Sequence, residues 1–329
     1  MDRRDDRLPP AFDSKRSFTS AKLVLSCVKK QDGKLKLYSV GNLELGGALG
    51  KLPELFFHDD CTIVKSEKKI RVVRLPLCIG QTSMPVYVKQ HNNLSWWHRL
   101  VSVVSASPAR RSIASAAKLL KEGFATARPI AAVEFRRWGL LIKSFYVSEE
   151  IPRAKTIADY WREDLLPLKG VEGRLKRLAT LRSLAYLFKA LHERGIYHND
   201  LKASNILAVD RGTTSEEIFS LIDLQGVRKC FYVSKRRRIK NLAQINRTLG
   251  RQLTRTEKLF FIKAYYHDSI VDRIKNRQLL QSILKETRRQ IIRERARHLV
   301  TESVPYRDGI SETGDLAADE YTRSKALSM

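Results

Sequence analysis

The sequence predicts an α+β chain in two lobes, an antiparallel sheet with one helix followed by a mainly helical part. Three observations carry that prediction. Short runs of branched residues bounded by polar turns fill the first half. Helical periodicity takes over after about residue 147. Between a long amphipathic helix and a short apolar run lies a polar stretch of fixed spacing, Tyr197 to Leu207.

A length of 329 residues suits one bilobal unit, and 43% hydrophobic residues suffice for a sizeable core. Lysine and arginine number 62 against 35 acidic residues, a net charge of +27. So basic a surface calls for an acidic partner: phosphates, nucleic acid or an anionic membrane face. The four cysteines are scattered and form no CxxC pair, which reads as a reduced, cytosolic chain with mostly buried thiols. The charged N-terminus lacks the apolar stretch of a signal peptide. No run approaches the ~18 apolar residues of a membrane span.

Taken in order, residues 21–28 and 35–40 read as two strands joined at Gln31-Asp32-Gly33. Thr62–Lys65, Ile70–Leu75 and Val86–Gln90 are three β-rich runs, and Ala109–Lys121 is a helix closed by Gly123. Ile130–Glu134 and Gly139–Val147 add two strands. In Arg174–Glu193 the residues Leu175, Leu178, Leu181, Leu184, Phe188 and Leu191 recur at helical spacing, and Gly195 ends the run. Ile206–Val209 and Ile218–Ile222 are short strands. From Arg228 to His298 the chain is helical and basic, with 21 lysines and arginines against five acidic residues. The boundaries follow: an N-terminal extension with a short β-hairpin at 1–59, a sheet lobe at 60–147, a helical lobe at 148–305 and a tail at 306–329.

The polar stretch reads His198-Asn199-Asp200-Leu201-Lys202-Ala203-Ser204-Asn205, the pattern H-x-D-L-K-x-x-N. Asp223 ends a later apolar run, and Lys89 lies in the third strand of the sheet lobe. These types at these places suit phosphoryl transfer from ATP, where the protein mainly positions and neutralises charge. Lys89 is expected on the α/β-phosphates. Asp223 and Asn205 offer hard oxygen ligands for Mg2+. Asp200 is expected to accept the proton of the attacking hydroxyl, Lys202 to steady the γ-phosphate, and His198 to hold the loop. An ordinary polar turn matches the four polar types of that pattern, His, Asp, Lys and Asn, in only about one of 20⁴ positions. Together with the element order, the motif points to a bilobal protein-kinase-like fold.

The sequence resembles the bacterial lipopolysaccharide kinase (Kdo/WaaP) family within that superfamily. The resemblance rests on Ile70–Arg74, Tyr87-Val88-Lys89, Gly123 through Ala132, Ser148–Ile151, His198–Asn205, Ile222–Leu224, Lys240–Arg247 and Phe260–Tyr266. It implies ATP- and magnesium-dependent phosphorylation of a heptose or Kdo hydroxyl in the lipopolysaccharide core. It also implies an anionic glycolipid substrate and a place in the cytoplasm, peripheral on the inner membrane. Two rival readings stay open: a catalytically inactive kinase-like module that binds lipopolysaccharide or a partner, and a kinase for another acceptor.

The chain departs from the family pattern in three ways. The phosphate-covering hairpin tip is Ser66-Glu67-Lys68-Lys69, without glycine, so Ser66 and Lys68 are the candidate phosphate contacts. Where the family pattern has a helix glutamate to hold the strand lysine, Ser112 follows Arg110-Arg111, and Glu122 is the remaining acid of that helix. The metal-binding triplet is Asp223-Leu224-Gln225 rather than Asp-Phe-Gly. Two other features stand out. Trp96-Trp97-His98-Arg99-Leu100 is read as packing between lobes, with insertion at a bilayer interface as the alternative. The run Lys235-Arg236-Arg237-Arg238 with Lys240 is read as a surface for anionic substrate or membrane. Nucleic acid is set aside, because isoleucine and leucine rather than interleaved aromatics back the basic helices.

Overall fold

The computed structural model describes residues 23–30, 33–40, 49, 52, 61–67, 69–79, 82–92, 96–209, 218–266 and 273–303. Seven strands form one antiparallel sheet: β1 (Leu23–Lys30), β2 (Gly33–Val40), β3 (Thr62–Glu67), β4 (Ile70–Ile79), β5 (Thr82–Asn92), β6 (Pro129–Arg137) and β7 (Leu140–Glu149). Their spatial order is β1-β2-β6-β7-β5-β4-β3. The early hairpin β1–β2 is therefore part of this sheet, with Leu37 opposite Val133 and Tyr38 opposite Ala132.

Alternation along the strands divides the sheet into two faces. One carries Val73, Val88, Val147, Val133 and Leu37 and is covered by Leu49 and Leu52. The other carries a cross-strand row of Val72, Lys89, Tyr146, Ala132 and Tyr38. On this second face lies α2 (Pro108–Lys121), with Ala109 and Ile113 packed against Tyr38, Ala132 and Tyr146. Its start follows from its residues. Ser107 accepts from the Arg110 backbone N–H at 3.0 Å, and Pro108 needs no intrahelical donor there. The preceding α1 (Trp96–Val101) leaves Trp96 69% exposed, so for Trp96 the lobe-packing reading is corrected. The side chains of Trp97 and His98 lie outside the described residues. Cys61, Cys78 and Cys230 are free thiols. Cys78 is exposed because it alternates with the buried Leu77 on β4, so the expectation of buried thiols fails there.

The later residues build the helical part. It contains α3 (Ile157–Tyr160), which continues into a π-helical turn at Trp161–Leu165, and then α4 (Gly170–Glu193), α5 (Lys235–Thr248), α6 (Arg255–Tyr266) and α7 (Arg273–Ser303). Trp161, Leu181, Leu184, Phe188 and Leu191 pack against Phe261 and Tyr265 from α6, with the Phe188 and Phe261 rings edge to face at 5.9 Å. Leu175, expected in this core, is exposed: apart from Gly173, the buried residues of α4 run from Thr180 to His192. Gly195 after α4 has φ +69, and a Cβ there would run into the Cys230 carbonyl, so glycine is required twice over. The short strand β8 (Lys155–Thr156) pairs with β10 (Ile206–Val209); β9 (Ile196–His198), β10 and β11 (Ile218–Leu221) frame the polar stretch, and β12 (Val227–Lys229) pairs with β9. Contacts divide the chain into residues 1–288 and 289–329, the second described only as the last turns of α7.

Candidate active site

The polar stretch folds as a loop between β9 and β10 with several hydrogen bonds among its own residues. Asn205 donates from Nδ2 to the Asp200 carbonyl at 2.8 Å and to Asp200 Oδ2 at 3.2 Å. Lys202 Nζ lies 3.0 Å from the same Oδ2. His198 is almost fully buried beneath them. Its Nδ1 accepts from the Asp200 backbone N–H at 3.1 Å, so the ring proton sits on Nε2, which donates to the Ile222 carbonyl at 3.2 Å. Burial pushes the His198 imidazole below its ordinary pKa, against the pull of its Ile222 hydrogen bond and of Asp223 and Asp200. One neutral histidine thus ties the loop to the residue before Asp223.

Asp223 follows β11 in the left-handed region, φ 58 and ψ 52, which non-glycine residues seldom adopt and aspartate tolerates better than most. Neighbouring bonds hold it there. Ile222 N–H donates to the Asn205 carbonyl at 3.0 Å, and Thr126 Oγ1 donates to the Leu221 carbonyl at 2.6 Å. The carboxylate accepts from Lys89 Nζ at 2.7 Å, joining β5 to the loop region across 134 residues of sequence. Burial opposes ionisation of Asp223, but the Lys89 ammonium and its hydrogen bond, with His198 and His91, hold the carboxyl below its ordinary value. The loop and this ion pair bring Lys89, Asp200, Lys202, Asn205 and Asp223 into one region.

Lys89 therefore takes Asp223 as its partner. The helix acid Glu122 is engaged elsewhere, accepting from Lys229 Nζ at 2.7 Å, and that ammonium holds its carboxyl below the ordinary range. Through this contact α2 is tied to β12. Ser66 pairs with Arg71, which pairs with Gln90, so Ser66 lies on the sheet face opposite Lys89; Lys65 shares the Lys89 face through Val72. Lys68 lies outside the described residues.

The supporting residues that sequence reasoning did not single out come from α5. Asn241 donates to the His198 carbonyl at 2.6 Å and to Gln244 Oε1 at 2.9 Å, while its own oxygen accepts from His192 Nε2 at 3.1 Å. Gln244 donates to the Asn199 carbonyl at 2.7 Å and accepts from Leu201 N–H at 3.1 Å. Thr248 accepts from Ala203 N–H at 3.0 Å. The Asn241, Gln244, Thr248 spacing sets all three on one helix face. That spacing, within the family-like stretch Lys240–Arg247, was the available signal. Asn241→Leu is expected to lower the unfolding free energy by about 3 kcal/mol, because it leaves buried partners unpaired. Chemical denaturation of both proteins checks this, and equal midpoints would remove the clamp.

The donor set of this region fits a small hard cation: a carboxylate on Asp223 and an amide oxygen on Asn205. No cluster of three or more histidine, cysteine or acidic side chains suited to a metal occurs among the described residues.

A model of the lipopolysaccharide kinase (Kdo/WaaP) family matches residues 93–265, more than half of the chain. Among solved structures, the chain is similar to one described as WaaP in complex with acyl carrier protein. The identity is 23% and the TM-score 0.50, covering 69% of this chain and 88% of that one. This likeness bears out the kinase-like α+β fold. No curated protein matches the chain.

Proposed function

The chain belongs to the lipopolysaccharide kinase (Kdo/WaaP) family, and from that premise we propose that it transfers the γ-phosphate of ATP to a heptose or Kdo hydroxyl of the lipopolysaccharide core. The observation that carries the reading is the 2.7 Å contact between Lys89 and Asp223 beside the Asp200–Asn205 loop. It brings Lys89, Asp223, Asn205 and Asp200 close together, which supports the roles proposed for them below. In this proposal the nucleotide lies between the sheet lobe, residues 60–147 with β1 and β2 added to its sheet, and the helical lobe of 148–305. Lys89 takes the α/β-phosphates, and Asp223 and Asn205 hold magnesium, which when bound neutralises phosphate charge. Asp200 uses Oδ2 to fix Lys202 and Asn205, leaving Oδ1 to accept the proton of the attacking hydroxyl. Lys202 steadies the γ-phosphate. Ser66 enters only through its backbone, since its side chain is on the far face.

Mass spectrometry of lipopolysaccharide core incubated with the protein and Mg-ATP tests this. A gain of one phosphate is the expected result. No gain with intact Mg-ATP binding, seen as a thermal shift, discards the acceptor and keeps a kinase. No gain and no shift favours the inactive module, for which the glycine-free hairpin tip speaks.

No helix of the described residues is long and apolar enough to cross a membrane. Peripheral contact is proposed instead through Trp96, Val103, Val104 and Trp138. Val104 and Trp138 are 90% and 87% exposed. Arg136 gathers the two loops by donating to the Ser102 and Gly139 carbonyls at 3.2 and 2.9 Å, and Arg137 lies 4.8 Å over the Trp138 ring. Indole rings beside guanidinium groups suit an anionic interface. In flotation with vesicles containing anionic phospholipid, Trp96→Ala/Trp138→Ala is expected to lower the partition coefficient by about tenfold. Unchanged flotation would remove this surface.

A further inference from the structure

Beside the catalytic loop, on the side of β12 and the start of α5, lies a cleft of about 780 Å³. Asn199, the residue before Asp200, is in its wall. Its cations are Arg228, Arg236, Arg237 and Lys240, and its aromatic residues include Phe231 and Tyr232. Among the described residues, no carboxylate pairs with Arg228, Arg236 or Arg237. Lys240 donates to Asn199 Oδ1 at 3.1 Å, and Arg237 and Lys240 lie 5.4 and 5.8 Å from the centroid of the Tyr197 ring. Arg237 is thus held by neutral groups, the Tyr197 ring and the Cys230 sulfur at 3.0 Å, which orient it without cancelling its charge.

Two further facts mark the cleft as built for a ligand. Phe231 is fully exposed and Tyr232 is 68% exposed, although each has a large apolar face to cover. Neither packs into the core, yet both border the cations. In addition, α5 opens on Lys235-Arg236-Arg237-Arg238 with no acidic residue in its first turn. That places like charge on the positive end of the helix, an arrangement that disfavours the free protein and is relieved by an anion.

We propose that this cleft binds the acceptor as an acidic saccharide, a sugar carrying phosphate or carboxylate. Arg228, Arg236 and Arg237 take the anionic group and Phe231 and Tyr232 cover the sugar ring. The guanidinium fork matches phosphate and carboxylate oxygens in pairs, which point charges do not. The aromatic faces supply contact with the C–H face of the ring. A group anchored here has its neighbouring hydroxyls beside Asn199 and Asp200, so the anion sets which sugar is offered to the proton acceptor. This deepens the kinase reading and rests on it for the word acceptor, whereas binding of the saccharide itself does not.

The test is calorimetric titration of the full chain, without nucleotide, with deacylated lipopolysaccharide core oligosaccharide. Parallel arms use the same oligosaccharide after phosphate removal by hydrofluoric acid, and after reduction of its carboxyl groups. The native chain is expected to bind. Arg236→Gln/Arg237→Gln is expected to weaken binding by about tenfold or more and Phe231→Ala by about threefold, with melting temperatures kept. These side chains are exposed, so their removal spares the core. Loss of binding in one chemical arm identifies phosphate or carboxylate as the recognised group. Binding unchanged in the variants, unchanged in both arms, or absent in the native chain overturns the proposal. A Mg-ATP thermal shift on the same samples separates the two readings. Shift kept with no cleft-dependent binding sinks the cleft alone. Cleft-dependent binding with no shift sinks the kinase alone.

Discussion

Asp200→Asn is expected to slow phosphate transfer by about 10²–10⁴-fold while leaving the Mg-ATP thermal shift in place. Asparagine keeps the size of the side chain and an oxygen for Asn205 Nδ2 and Lys202 Nζ, now 3.2 and 3.0 Å from Oδ2. The loop therefore keeps its shape and loses only its proton acceptor. Asp200→Ala removes both and is expected to fall at least as far. The nucleotide side of the proposed site, Lys89 and Asp223, is untouched by either change. Single-turnover kinetics with the core acceptor reads the chemical step directly. Full activity in the asparagine variant would mean that Asp200 is no base. Loss of the thermal shift would mean that it belongs to nucleotide binding instead.

Acidification from pH 7 to pH 5 is expected to remove about 4 kcal/mol of stability through His91 and His192 together. Burial, with Lys89 and Arg111, brings the His91 pKa down to about 4, against the opposing pull of Asp223. Burial also brings His192 to about 4, despite its bond to Asn241. His192 is neutral in its network, accepting from the Tyr265 hydroxyl at 2.8 Å on Nδ1 and donating from Nε2. Each folded value lies below the unfolded value near 6.5, so the unfolded chain binds the extra protons. Stability is thus full above about 6.5 and is lost as pH falls through about 4. His198, displaced in the same direction, adds to the loss. Asp223, also depressed, adds its own below the ordinary carboxylate range. Urea midpoints at pH 7 and pH 5 measure this. Equal midpoints would show that the buried imidazoles carry charge in the native state. Since His192 and His198 both bear on the α5 clamp, the catalytic loop is expected to loosen first.

Much of this was readable in the chain because it is local. The strands around Lys89, the helix before Gly123 and the helix before Gly195 announce themselves by spacing and by glycines with φ of +80 and +69. The His198–Asn205 loop is contiguous, and the bonds among its own residues span at most five positions. Residue types and spacing therefore determined the element order, the kinase-like class and the compact polar loop.

What the chain withheld were choices between distant partners. Lys89 pairs with Asp223 rather than a helix acid, because the sheet face that carries Lys89 also receives the end of β11, whereas Glu122 meets Lys229. Ser66 faces away from Lys89 because strand register, not position in sequence, assigns each side chain its face. Trp96 reaches solvent because the rotation of a short helix about its axis is set by what it packs on. The α5 clamp acts on a loop about 40 residues earlier. Propensity and periodicity describe neighbours along the chain, and which faces meet is decided by the packing of the whole molecule.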